Sequence, residues 1–377
     1  MKIVHVIGDG RLSGAGLQLS YLATALSREF EIEVVAPPDA PILSRLRGEP
    51  LLTTALPFSL RAGICLSDIR RFEEYFLRTK PDIVHTHGNL AARVGAALSG
   101  VRHSLSTRHG FPTGVAHRRC LRTKLYNAVT ALTVTTAYIG GNYLLAEGIP
   151  RERVVTIPSG VPQVTKKEDT AYREFRHALK IPEDARIIGS FAQESRGGAD
   201  GTGFRRMSGM SGQGTLLRAF ARVAAQCNDI FLILIGGSGE DKELLRLTSL
   251  LGIGERVRIL PQGTDLSLCA GVTTLHVDPS SGSENSVLAA CSLMSVGIPT
   301  VAADTAGMRE VIDEGQNGRL FPSDNAYALA EVLLSLLSSE EQRRRLSHGA
   351  LARYAENFSV PRMERAYADL YRRVVAS

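Results

Sequence analysis

Short β-branched runs alternate with amphipathic stretches along most of this chain, and that alternation restricts the fold more than any other feature. The first half gives Ile3–Ile7, Ile32–Ala36, Ile83–Thr86, Ser104–Thr107, Leu132–Thr135 and Val154–Ile157. The second half gives Ile187–Phe191, Phe231–Ile235, Val257–Leu260, Thr274–Val277 and Thr300–Ala303. Helical patterns such as Gln18–Ser27, Leu216–Ala225, Lys242–Leu250 and Ala326–Ser335 lie between them. Strands separated by helices are joined by crossovers, so they pair in parallel. Two such series predict two doubly wound, Rossmann-like halves. The polar stretch Lys166-Lys167-Glu168-Asp169 lacks an apolar period and places the break, giving domains over 1–165 and 166–357. A last helix over about 358–377 carries Met363, Tyr367, Leu370 and Tyr371 on one face. That face is expected to pack back onto the first domain, with Ser359 as its cap. One segment breaks the pattern: Glu194–Gly214 is rich in Gly and Ser and reads as a long loop after the first strand of the second domain.

A length of 377 residues suits two domains, and 44% hydrophobic residues supply ordinary cores. No apolar run is long enough to cross a bilayer. The opening Met1–Gly8 reads as a first strand rather than a leader, so a cytoplasmic location is expected. Cys65, Cys120, Cys227, Cys269 and Cys291 are scattered, without zinc or redox spacing. His85 and His87 fall two apart on one strand face, but the sequence suggests no third ligand, so no metal site is expected. The net charge is +6, which favours anionic partners. It is concentrated between Asp82 and Glu147, where no acid occurs but Arg93, Arg102, Arg108, Arg118, Arg119, Arg122 and Lys124 do. Those arginines are not interleaved with aromatics and the chain has no tryptophan, which argues against nucleic-acid binding.

Residues 276–318 carry the strongest chemical signal. The apolar strand ends in His276-Val277-Asp278-Pro279-Ser280-Ser281-Gly282-Ser283, and a helix follows from Glu284-Asn285-Ser286. A helix N-terminus offers unpaired amides and a positive dipole end that attract diphosphate. A carboxylate beside it would accept sugar hydroxyls, a combination that suits a nucleotide-sugar site. Near the start, Ser13-Gly14-Ala15-Gly16 forms a Gly-rich entry to a helix where backbone amides could approach phosphate. The dinucleotide fingerprint G-x-G-x-x-G is absent.

With Pro81–His87, Ser106-Thr107-Arg108-His109-Gly110, Val155–Val161 and Pro279–Glu310 in this order, the chain resembles the retaining GT-B glycosyltransferases of family 4. Members of that type build bacterial lipopolysaccharide and exopolysaccharide. The resemblance implies two Rossmann-like domains with parallel sheets facing across a cleft, the nucleotide held mainly by the second and the acceptor by the first. It implies metal-free transfer from a nucleotide diphosphate sugar, with no cofactor. It places Glu284 by the transferred sugar, His109 near sugar and phosphate, and Gly14, Gly16, Asn285 and Ser286 at the diphosphate.

The pattern is not complete. Ser292 stands where the family has a glutamate for the ribose hydroxyls, and a serine is a weaker acceptor than a carboxylate. Gln193 and Ser211 replace an arginine and a lysine at the donor diphosphate, and Arg205 and Arg206 in the intervening loop are candidate replacements. The expected protein transfers a hexose to a lipid-linked glycan acceptor. Arg108, Arg118, Arg119, Arg122 and Lys124 would contact acceptor phosphates or the inner face of an anionic membrane. The alternative is a degenerate GT-B protein that binds a ligand or partner without catalysis.

Overall fold

The computed structural model describes residues 1–8, 10–12, 14–59, 65–109, 121–191, 212–236, 241–261, 263–280 and 284–376. Two compact units emerge: Met1–Val161 with Asn357–Ser377, and Pro162–Glu356.

The first unit is built on a parallel sheet of β1 (Lys2–Ile7), β2 (Glu31–Ala36), β3 (Leu52–Ala55), β4 (Ile83–His87), β5 (His103–Arg108), β6 (Leu132–Thr135) and β7 (Val154–Thr156). Their order is β3-β2-β1-β4-β5-β6-β7. The order reverses between β1 and β4, and such a reversal is where open α/β sheets leave a crevice at the strand C-termini. Side chains alternate across the sheet. Ile3 and Ile7 face Leu19, Leu22 and the terminal helix Val360–Ala376, whereas Val4 and Val6 face Phe72, Phe76 and Ala92. The terminal helix contributes Met363, Tyr367, Leu370, Tyr371 and Val374 to the first of these layers. Ser359 forms a bridge with Val161, and the Val161 N–H donates to the Phe358 carbonyl at 2.8 Å.

The second unit holds β8 (Arg186–Ser190), β9 (Ile230–Gly236), β10 (Val257–Pro261), β11 (Leu275–Asp278), β12 (Thr300–Ala303) and β13 (Gly318–Phe321), all parallel, in the order β10-β9-β8-β11-β12-β13. Here the order reverses between β8 and β11. The core on one face joins Leu216, Phe220 and Val223 to Leu232, Leu275, Val301 and Leu333.

Two strands escape the sequence pattern. β3 reads Leu-Thr-Thr-Ala and is mostly exposed at the sheet edge, so it lacks an apolar run. β13 reads Gly-Arg-Leu-Phe, also at an edge, and only its ends are buried. The expected loop over 194–214 is shortened at its end, because Gly212 already opens the helix Gly212–Ala224. Residues 192–211, with Gln193, Arg205, Arg206 and Ser211, lie outside the described residues.

Candidate functional site

In the second unit two helices begin beside each other at the switch point. Gly212–Ala224 follows β8 and Glu284–Met294 follows β11, and β8 pairs with β11. They are brought close by a missing side chain: a Cβ on Gly212 would lie 2.0 Å from the Pro279 carbonyl oxygen. Two helix starts at one crevice combine their dipoles and unpaired amides, the preferred setting for an anion. Gly212→Ala is therefore expected to push the helix start off the Pro279 loop. Overpacking of this kind costs about 1–3 kcal/mol, so the melting temperature should fall by several degrees and UDP affinity by roughly tenfold. Calorimetry and thermal melts check both; unchanged values would show that the two helix starts are not held together by this contact.

Glu284 is the first residue of its helix and is partly buried. Asn285 next to it is partly buried and Ser286 is fully so. The loop before it is tied by a carboxyl that the sequence reading passed over. Asp278 ends β11, is buried, and accepts from the Ser280 N–H at 2.9 Å through Oδ1. Burial raises its pKa, and bonds from Ser280 and Ser286 offset part of that rise. The Ser280 and Ser286 hydroxyls meet at 2.6 Å. Ser286 thus has a structural partner besides its suggested phosphate role. Ser292, one of the departures from the family pattern, donates its hydroxyl to the Leu288 carbonyl at 2.8 Å, so its oxygen can only accept further bonds.

In the first unit, Gly14 and Gly16 open the helix Gly14–Leu26, and both are buried. A Cβ on Gly16 would stand 1.8 Å from the Arg11 carbonyl oxygen, so close backbone packing accounts for that glycine. The basic block needs correction. Arg93 is buried, stacked 3.9 Å from the Tyr126 ring centroid, and bonded to the Thr130 hydroxyl at 3.0 Å. It belongs to the interior. Arg108, expected at acceptor or membrane, pairs with Glu147 at 3.2 Å. The acid that answers it lies 39 positions on, just past the acid-free stretch. Lys124 is exposed, whereas Arg118 and Arg119 fall outside the described residues and the Arg122 side chain is likewise not described.

His109 follows β5 and is partly buried, and its Nε2 bonds His87 Nδ1 at 2.8 Å. The two-apart pair His85 and His87 gains a third ring that the sequence did not suggest. β1 pairs with β4 so that His5 faces His85 across the ladder, and the ligating atoms of His5, His85 and His87 lie within 4.8 Å of one another. A histidine inside an apolar first strand gives no local signal of this; only the strand register does.

Two parallel, Rossmann-like sheets of this kind match the GT-B class of α/β proteins. Residues 12–163 match the model described as Glycosyltransferase Family 4, and residues 204–353 match Glycosyl transferases group 1. The chain belongs to this group 1, family 4 type of glycosyltransferases. A phosphatidyl-myo-inositol mannosyltransferase of Mycobacterium leprae is 32% identical over 136 residues, which is 36% of this chain and 36% of that protein, so the match spans about a third of the relative's length. A D-inositol 3-phosphate glycosyltransferase of Nocardioides sp. is 28% identical over 328 residues, 78% of this chain and 68% of the other. Among solved structures, a glycosyltransferase from Rickettsia africae superposes with a TM-score of 0.82 at 16% identity, covering 99% of this chain and 98% of that one. Anabaena HepE in complex with UDP gives 0.78 at 20% identity, covering 98% and 99%. At these identities the structures share the fold. No helix among the described residues is long and apolar enough to cross a membrane.

Proposed function

We propose that this chain transfers a hexose from a nucleotide diphosphate sugar to a lipid-linked glycan acceptor in envelope polysaccharide synthesis, with retention at the anomeric carbon and without a metal or cofactor. The observation that carries the donor half is the pair of helix starts at Gly212 and Glu284, joined at the Pro279 loop. Their amides would hold the diphosphate, assisted by Asn285 and Ser286, and Glu284 would take the sugar hydroxyls. His109 would serve the sugar–phosphate region. The leaving diphosphate's own oxygen would receive the proton of the acceptor hydroxyl as the new glycosidic bond forms. The relatives' names, which specify inositol phosphates and phosphatidylinositol, support an acceptor that carries phosphate. Arg122 and Lys124 on the helix Leu121–Ala128, with Arg118 and Arg119 before it, would draw such an acceptor or an anionic bilayer to the first unit.

The test is release of nucleoside diphosphate from a panel of UDP- and GDP-sugars with phosphorylated lipid acceptors, run with and without chelator. Donor-dependent release that survives chelation is expected. The second reading, binding without transfer, draws on Ser292, whose hydroxyl is committed to the Leu288 carbonyl where the family has a carboxylate. Calorimetric binding of UDP with no turnover on any acceptor would favour it. Flotation with acidic liposomes checks the membrane contact: recovery of the protein with the lipid is expected, and its failure to float removes the peripheral attachment.

A further inference from the structure

The histidines of the first unit form a buried chain. His109 Nε2 meets His87 Nδ1 at 2.8 Å, and His87 Nε2 meets His5 Nδ1 at 3.2 Å. His5 Nε2 faces the Tyr371 hydroxyl at 3.5 Å, the longest link. The Tyr371 hydroxyl meets His85 Nδ1 at 2.6 Å, and His85 Nε2 meets the Thr107 hydroxyl at 2.8 Å. His5, His85, His87, Thr107 and Tyr371 are buried, and His109 at the end of β5 is the least buried ring. Three strands and the terminal helix supply the parts: β1 gives His5, β4 gives His85 and His87, β5 gives Thr107, and Val360–Ala376 gives Tyr371. β1 and β4 are the strands on either side of the switch point.

Burial keeps His5, His85 and His87 neutral. It lowers the pKa of His5 to about 3 and holds those of His85 and His87 well below the usual value. A neutral imidazole carries one N–H and one lone pair. Each link needs one donor and one acceptor, so the choice at one ring dictates the choice at the next. Following the atoms, only two arrangements satisfy every link and also give the buried Tyr371 hydrogen an acceptor; a third, in which the Tyr371 oxygen accepts from both His5 and His85, leaves that hydrogen unbonded. Either all four histidines carry hydrogen on Nε2 and donate toward Thr107, or all four carry it on Nδ1 and the chain donates toward His109. Any mixed set leaves two donors or two acceptors face to face, or the Tyr371 hydrogen without an acceptor, which costs about 1–3 kcal/mol per unmade bond.

We propose that this chain is a tautomer lock in which His5, His87, His85 and Tyr371 act as positioning residues that fix which ring nitrogen of His109 bears hydrogen. A substrate oxygen that approached His109 at Nδ1 would meet the hydrogen or lone pair that this choice places there. An anionic oxygen there requires the arrangement with hydrogen on Nδ1; that choice of sense, but not the lock itself, rests on the proposed function.

The three clustered rings also invite a metal. Against that, His85 has both nitrogens engaged, by Tyr371 and Thr107, and every ring nitrogen of the trio already has a hydrogen-bond partner. The hydrogen-bonded chain therefore accounts for the cluster without an ion.

Nitrogen NMR of histidine-labelled full-length protein reads the test, because protonated and lone-pair ring nitrogens differ widely in shift. Resonances are assigned by single substitutions. The expected result is the same protonated nitrogen, Nδ1, in His5, His85, His87 and His109. Tyr371→Phe removes one hydroxyl and keeps the ring, so His85 should lose its match while His5, His87 and His109 remain matched to one another. A mixed set in the unsubstituted protein overturns the lock, as does a stoichiometric metal ion that shifts the three clustered rings. A uniform set on Nε2 sustains the lock and removes His109 from the phosphate, which separates failure of the functional reading from failure of the inference.

Discussion

Glu284→Gln should lower donor turnover by about 10²–10³-fold while changing the affinity for bare UDP by less than about threefold. The residue opens a helix at the switch point of the second sheet; in the proposed function the helix dipoles would hold the diphosphate and this carboxylate would take the sugar. Glutamine keeps the shape and can still bond hydroxyls, but it removes the negative charge that would face an oxocarbenium-like sugar as the bond to phosphate breaks. The loss should therefore fall on turnover rather than on nucleotide binding. The fold should barely respond, since a helix-start carboxylate is worth about 0.3–1 kcal/mol. Turnover is followed by nucleotide release and affinity by calorimetry. Normal turnover in the variant would mean that the carboxylate only offsets the dipole.

Removing residues 357–377 is the second large effect. Met363, Tyr367, Leu370, Tyr371 and Val374 are buried against the first sheet. Fully burying a large apolar side chain is worth about 1.5–3 kcal/mol, so this helix contributes roughly 8–15 kcal/mol as an upper estimate. That is the size of a whole domain's net stability. The truncated chain should lose the cooperative transition of its first unit and keep that of the second, seen as one calorimetric peak in place of two. Leu370→Ala, a milder change, should cost about 2–5 kcal/mol. A truncated chain that still gives both transitions would show the helix to be dispensable.

The sheets were legible because their central strands are continuous apolar runs, as in Ile230–Gly236 and Lys2–Ile7. Of the four edge strands, Val154–Thr156 and Val257–Pro261 were legible, but Leu52–Ala55 and Gly318–Phe321 were not, because they have little to bury. Glu284 stood out because one acid follows a small polar turn after an apolar strand, a purely local pattern. Arg93 misled, and the ion pair of Arg108 went unseen, for the opposite reason. A charge-block reading counts neighbours in sequence, whereas their partners Thr130 and Glu147 are 37 and 39 positions away and reach them only through the fold. His5 was missed likewise, since its distance of 82 positions from His87 closes only when β1 and β4 align.

The split make-up of the first unit has a bearing on biosynthesis. A ribosome delivers residues 1–161 early, yet the piece that covers their sheet arrives only at 357–376, after the whole intervening body has emerged. The body made later can finish first, while the earlier one waits with an uncovered greasy face. A premature stop near the end of the message would thus harm the oldest part of the nascent polypeptide, and holdase chaperones should engage that half for longest during translation.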